Sequence, residues 1–285
     1  MSSFSIKRLE TRITLASGSF GGMGNTMSIR GLATEASVEK NGLPDFGKAA
    51  IRIWGMNYDA MDKLTTLAAK PFENRNNRVE LYAGDEGGEM SLVFRGEIDA
   101  ASADFNGAPE VVFSIGGVTG SYPMQQSSGA RAISGAAPLG DIVRQIAGMV
   151  GYAFRNEGVS AQLSNAYLEG SPMEQAMRAV KEAGAELIVD DGTMVLLPRG
   201  AARSGRAILL SAETGLRGYP SFTNNGLAVT CLYNPELRLG GLVEIKSIVP
   251  KASALWRITK LSHQLAAYTP GQAPWDSKLE AMPLL

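Results

Sequence analysis

Through the first ~125 residues, apolar and polar positions alternate at the two-residue period of half-buried strands. Ile51 and Ile53 flank Arg52, and Met27 and Ile29 flank Ser28. Val79-Glu80-Leu81-Tyr82-Ala83 and Met90-Ser91-Leu92-Val93-Phe94 stand on either side of Gly84-Asp85-Glu86-Gly87-Gly88. That arrangement predicts a hairpin, because the glycines supply positive φ and β-formers fill both arms. One helix is expected to interrupt the zone, with Asn57 as N-cap, Met61, Leu64, Thr65 and Ala68 as its apolar stripe, and Pro71 ending it.

Between about 130 and 200 the period lengthens to that of a helix. Pro138 is placed in a first helical turn. Leu139, Ile142, Val143, Ile146, Ala147 and Val150 then share one face, and Gly151 supplies a left-handed stop. Ser171-Pro172-Met173-Glu174 predicts a second helix opened by a capping box, with Met173, Ala176, Met177 and Val180 inward and Gly184 at its end. Glu186-Leu187-Ile188-Val189 and Thr193-Met194-Val195-Leu196-Leu197 make a second hairpin around Asp190-Asp191-Gly192. Pro198 to Gly205 reads as a linker. Period two then returns: Leu227, Val229, Cys231 and Tyr233 alternate with Ala228, Thr230 and Leu232, and Trp256 and Ile258 bracket Arg257. The fold class expected is mainly β with an α+β insertion, divided into a β domain over 1–128, a small helix–hairpin domain over 129–204 and a β domain over 205–285.

Composition narrows the chemistry. The chain has 285 residues, 33 of them Gly and 13 Pro, which suits a turn-rich β protein. A net charge of −1 excludes bulk attraction to nucleic acid or an anionic membrane. No apolar run is long enough to cross a membrane as a helix. Ser2-Ser3-Phe4-Ser5-Ile6-Lys7-Arg8 lacks a signal core, so assembly in a cytoplasm is expected. Charge is nonetheless uneven: residues 70–110 carry nine acidic and four basic side chains, residues 198–260 three acidic and nine basic. Such a split suits head-to-tail contact between copies, with Glu80 and Glu97 on one side and Arg217, Arg238 and Arg257 on the other.

Candidate catalytic groups are few. Cys231 and His263 are the only cysteine and the only histidine, which removes multi-Cys/His metal sites and leaves a single thiol–imidazole pair. Cys231 shares the parity of Val229 and is expected in a core as a packing residue. The Gly18-Ser19-Phe20-Gly21-Gly22-Met23-Gly24-Asn25 run fits neither phosphate-binding pattern and is expected to be a mobile loop between strands. Asp85-Glu86 and Asp190-Asp191 fall in predicted hairpin turns, where solvation raises no carboxylate pKa, and Glu97 and Asp99 flank Ile98 as a solvent face. No catalytic, cofactor or metal residue follows.

Longer patterns go further. Gly215-Leu216-Arg217-Gly218-Tyr219-Pro220, continuing through Asn224-Asn225-Gly226-Leu227 to Leu232-Tyr233-Asn234-Pro235-Glu236-Leu237-Arg238-Leu239-Gly240-Gly241, resembles the baseplate hub proteins of tailed bacteriophages (the late control protein D-like family). Trp256-Arg257-Ile258-Thr259-Lys260-Leu261-Ser262-His263 with Trp275-Asp276-Ser277-Lys278-Leu279-Glu280 is similar to that family's closing segment, and Ile53-Trp54-Gly55-Met56 and Phe94-Arg95-Gly96-Glu97-Ile98 to its first domain. The resemblance implies tail-tube-like β-barrel domains and a homotrimer in the virion, built in the host cytoplasm. It implies the tail tube protein and a central spike or fibre as partners, the tape measure protein as a further neighbour, and no membrane, specific nucleic acid, cofactor or catalysis. A tail-associated peptidoglycan- or glycan-acting enzyme is the alternative; the single histidine and the lack of an appended domain weigh against it.

Overall fold

A computed structural model of the chain describes residues 5–65, 76–224, 226–271 and 273–284. Ser2, Ser3, Phe4, Ala68, Pro71 and Asn225, named above, lie outside them. The N-terminal part comprises β1 (Lys7–Thr14), β2 (Thr26–Arg30), β3 (Thr34–Asn41), β4 (Lys48–Trp54), α1 (Tyr58–Leu64), β5 (Arg78–Asp85), β6 (Ser91–Asp104) and β7 (Val112–Val118). The middle part holds α2 (Ser121–Gln125), β8 (Arg131–Ala132), β9 (Ala136–Pro138), α3 (Leu139–Met149), β10 (Ala153–Asn156), β11 (Gln162–Ser164), β12 (Tyr167–Leu168), α4 (Pro172–Glu182), β13 (Ala185–Asp190) and β14 (Thr193–Pro198). The last part holds β15 (Ile208–Leu210), β16 (Leu216–Thr223), β17 (Gly226–Leu232), β18 (Leu242–Ile245), β19 (Leu255–Ala267) and β20 (Trp275–Pro283). No helix of the described residues is long and apolar enough to cross a membrane.

One sheet, largely antiparallel, joins the first and last parts in the order β16-β17-β20-β19-β3-β4-β7-β6-β5-β1-β2, with β18 and β15 branching from β19. β1 comes back beside β19, so the first seven strands of this wrap enclose a core that includes Ile13, Val38, Ile51, Phe94, Phe113 and also Leu265. A second core lies between β15, β17, β18, β19 and β20 and holds Leu227, Val229, Cys231, Trp256 and Leu279. Alternation places these side chains: Ile51 and Ile53 are buried while Arg52 is exposed. Close strand approach also constrains sequence, since a Cβ on Gly117 of β7 would lie 2.8 Å from the Phe94 ring and 2.9 Å from Val79.

The middle part has its own core, with α3 and α4 covering the three-stranded sheet β10-β14-β13. Leu139, Ile142, Val143, Ile146 and Ala147 of α3 are buried in it, worth about 1.5–3 kcal/mol for each large aliphatic side chain. α4 starts as its sequence dictates. The Ser171 hydroxyl accepts from Glu174 N at 3.3 Å, and Glu174 Oε2 accepts from Ser171 N at 2.7 Å. In α1, likewise, Asn57 Oδ1 accepts from Asp59 N at 2.8 Å. Pro138 departs from expectation: it closes β9 with ψ 129° and precedes α3 instead of lying in its first turn, because it is paired with Gln162 of β11.

Leu43, Phe46 and Met124 pack on the middle core from outside it, and Ile188, Val195 and Leu197 form a small cluster with Leu239, whereas the two large barrel cores draw no buried residue from 129–204. Deleting 132–204 and closing the gap with a short Gly/Ser linker is therefore expected to leave a soluble β-rich protein, checked by far-ultraviolet circular dichroism. Disappearance of the β signal would show that the barrels depend on the middle part to fold.

Candidate functional site

The three parts meet around the turn between β13 and β14. Asp191 has φ 48° and Gly192 φ 75°, the paired left-handed conformation of a tight hairpin turn, which follows directly on Asp190, the last residue of the β13 ladder. Both aspartates meet Lys40 of β3. Its Nζ lies 2.9 Å from Asp190 Oδ1 and 2.5 Å from Asp191 Oδ2. Arg95 N donates to Asp191 Oδ1 at 3.1 Å, and Arg203 Nη1 stands 3.7 Å from Asp190. Arg257 of β19 pairs with Glu186 of β13 on the same side. Tyr233, Arg238 and His263 complete the wall of a polar cavity of about 380 Å³ at this junction.

Burial sets the ionisation of this cluster. Loss of water pulls the Lys40 ammonium down, but the two carboxylates outweigh it and hold the group above an ordinary lysine. Burial pushes Asp191 up to about 6, with Lys40 opposing and the Asp190 charge adding. The expectation that solvation keeps any carboxylate of this turn from being raised is thus overturned, because the turn is docked against β3. Glu97 is a second correction. A bulge after Ile98 in the β6–β7 ladder breaks the alternation, leaving Glu97 3% exposed while Asp99 remains at the surface. Burial raises the Glu97 carboxyl, and Tyr152 Oη donates to it at 3.1 Å while accepting from Gly120 N at 3.0 Å.

The thiol and imidazole lie in one cross-strand row. Cys231 of β17 and His263 of β19 both stand opposite Ser277 of β20. His263 Nδ1 is 2.9 Å from Ser277 Oγ, but Ser277 is fully buried and Cys231 nearly so. Desolvation pushes the thiol up to about 12 and the imidazole down to about 3. At neutral pH the thiol therefore stays protonated, and the imidazole, though neutral, is too weak a base to draw its proton. The Gly18–Asn25 run joins β1 to β2 and presents no helix N-terminus beyond a single 3₁₀ turn. Among the described residues, no cluster of three or more His, Cys, Asp or Glu is arranged to hold a metal.

The five charged residues expected at a subunit contact are not equivalent. Glu80 is half-buried, with Arg95 Nε at 2.7 Å and Tyr82 Oη donating at 2.8 Å. Arg217 pairs with Asp276 at 3.0 Å and stays half-exposed, and Arg238 is exposed at the mouth of the polar cavity. Burial inside one copy removes Glu97 and Arg257 from any surface on which two copies could meet. Sequence reasoning missed Lys40 altogether. Its signal was present, since Ala36, Val38 and Lys40 share the inward parity of β3.

This architecture, a double barrel with a small α+β part inserted, is shared with solved phage tail proteins. The prophage MuSo2 43 kDa tail protein of Shewanella oneidensis superposes with a TM-score of 0.63 over 98% of this chain and 99% of its own, at 11% identity. A tail protein of Neisseria meningitidis MC58 gives 0.64 over 96% of each chain at 9% identity. An Escherichia coli component of the type VI secretion system, described as similar to the bacteriophage T4 tail proteins gp27 and gp5, gives 0.60 over 88% of this chain and 73% of its own at 11% identity. A search of curated proteins finds no match. Residues 10–269 match the family described as baseplate hub gp41, and the chain belongs to that family. It is a structural component of a phage tail baseplate.

Two outcomes test the junction. Lys40→Met leaves two buried carboxylates face to face, and a loss of about 3–5 kcal/mol in denaturant unfolding is expected at neutral pH. His263 binds a proton readily only when unfolded, so its contribution is intact above the ordinary histidine value of 6.5 and is lost as pH falls toward 3. Asp191 and Glu97, raised when folded, work in the opposite sense. Comparing wild type with His263→Gln isolates the imidazole: the wild type should lose about 1.4 kcal/mol more per pH unit between 6.5 and 4. Equal losses in the two proteins would mean that His263 titrates while folded.

Proposed function

We propose that this chain is the ring-forming adaptor of its baseplate, a homotrimer that joins the tail tube to the central spike or fibre. The observation that carries this is the pair of barrels in one chain, fused through β19 and β20. Three such chains bring six barrels into a ring, which can meet a sixfold tube on one face and a threefold spike on the other. The tape measure protein would then be a neighbour in the bore of that ring. A non-enzymatic role is supported by the sealed Cys231–Ser277–His263 row and by the pairing of Asp190 and Asp191 with Lys40.

The uneven charge gives the copies a way to find register, with Glu80, Glu86 and Glu89 in the acidic segment and Arg217 and Arg238 in the basic one. Each exposed pair contributes only about 0–1 kcal/mol, and apolar burial does most of the holding. Rising salt should therefore shift the trimer modestly toward monomer in sedimentation velocity. Glu86→Lys with Glu89→Lys should do the same, with partial recovery on adding Arg238→Glu. Negative-stain images should show a threefold ring with a central hole. A stable monomer, or a trimer indifferent to both salt and charge reversal, would count against this assembly.

A further inference from the structure

We propose that the outer edge of β13, over Ala185–Leu187, is a strand-addition site for an extended segment of another protein that alternates acidic and apolar residues. Within one copy β13 pairs with β14 alone, and no main-chain hydrogen bond reaches Ala185–Asp190 from any other described residue. Folded proteins usually cover, shorten or charge such an edge, because its unpaired N–H and C=O groups template a further strand. Here the edge opens into a groove of about 710 Å³ between α4 and the β3–β4 loop. Met177, Val180 and Leu187 wall it on one side, Leu43 and Pro44 on the other.

The far end of the same strand is closed. Asp190 is held by Lys40, and Ile188 packs into the contact with Leu239. The open stretch is therefore about three residues, or roughly 10 Å at the rise of a strand. A partner segment pairing there would hydrogen-bond through its backbone and drop alternate side chains into the groove.

Charge decides what the remaining side chains should be. Glu174 is committed to the cap of α4, Glu186 to Arg257, and Arg178 has Glu169 at 3.1 Å. Lys181 and Arg199, at the mouth of the groove, have no carboxylate partner among the described residues. The uncompensated charge is positive, so acidic side chains pointing outward complete it. This site does not depend on how many copies form the ring.

The full chain would be titrated with a short blocked peptide alternating valine and glutamate, and with its counterpart carrying lysine for every glutamate. Amide hydrogen exchange resolved to β13 is the readout, with sedimentation of the same samples recording oligomeric state. The glutamate peptide is expected to slow exchange in β13. The lysine peptide should bind about tenfold more weakly, the order expected when two exposed charge pairs are lost. Lys181→Glu with Arg199→Glu, both at the surface, should reverse that ranking without altering the fold. Protection by neither peptide, equal protection by both, or a ranking unchanged in the double variant would overturn the proposal. So would β13 amides already slow in the free protein and freed by dilution, which would assign the edge to a second copy. Peptide protection of β13 in a chain that proves monomeric supports this site and counts only against the ring.

Discussion

Strand β19 is bonded along one edge to β20 and along the other first to β18 and then to β3. Everything else in the barrels follows from that division. Its first half, with Trp256 and Ile258, closes the C-terminal core, and its second half, with Leu265 and Ala267, closes the N-terminal one. Two barrels that share a strand cannot drift relative to one another as two domains on a linker can. The middle part is the only one of the three free of this constraint, and it is fastened differently.

That fastening combines an apolar cluster with charged ties. Leu43 and Phe46 give the middle core apolar contact with the β3–β4 loop, and Ile188, Val195 and Leu197 bury against Leu239 of the last part; beside that cluster stand Lys40 with Asp190 and Asp191, Arg257 with Glu186, and the hydrogen bond between Glu97 and Tyr152. Buried charge pairs of this kind add little net stability, since desolvation offsets much of the attraction, yet each punishes any geometry that leaves a member unpaired. The apolar cluster supplies the adhesion, and the charged ties fix the orientation.

What could be seen in the sequence was what is decided within a few residues. The capping box at Ser171, the cap at Asn57, the Asp191-Gly192 turn and the alternation through Leu227, Val229 and Cys231 are local, and the structure has them. The charged junction was not legible, because its partners are about 150 residues apart and nothing near Asp190 announces Lys40. Glu97 was misplaced for a different reason: one extra residue in β6 shifts the face of every side chain before it, and a bulge leaves no mark in a two-residue pattern. A lysine on the inward parity of β3 was the one available clue to a buried pair. The subunit-contact residues were chosen from regional charge, which cannot distinguish Arg238 at the surface from Arg257 inside.

The shared strand also has a mechanical consequence. A tensile load applied between the two barrels passes along the covalent backbone of β19 instead of across a packed interface. To part them, β19 must shear from β3 along a ladder that runs from Lys260 to Ala267, or from β18 and β20 on the C-terminal side, with the hydrogen bonds of each ladder strained together and not one after another. Such a coupling resists pulling along its axis far better than peeling, so the molecule is stiffest in the direction in which β19 points.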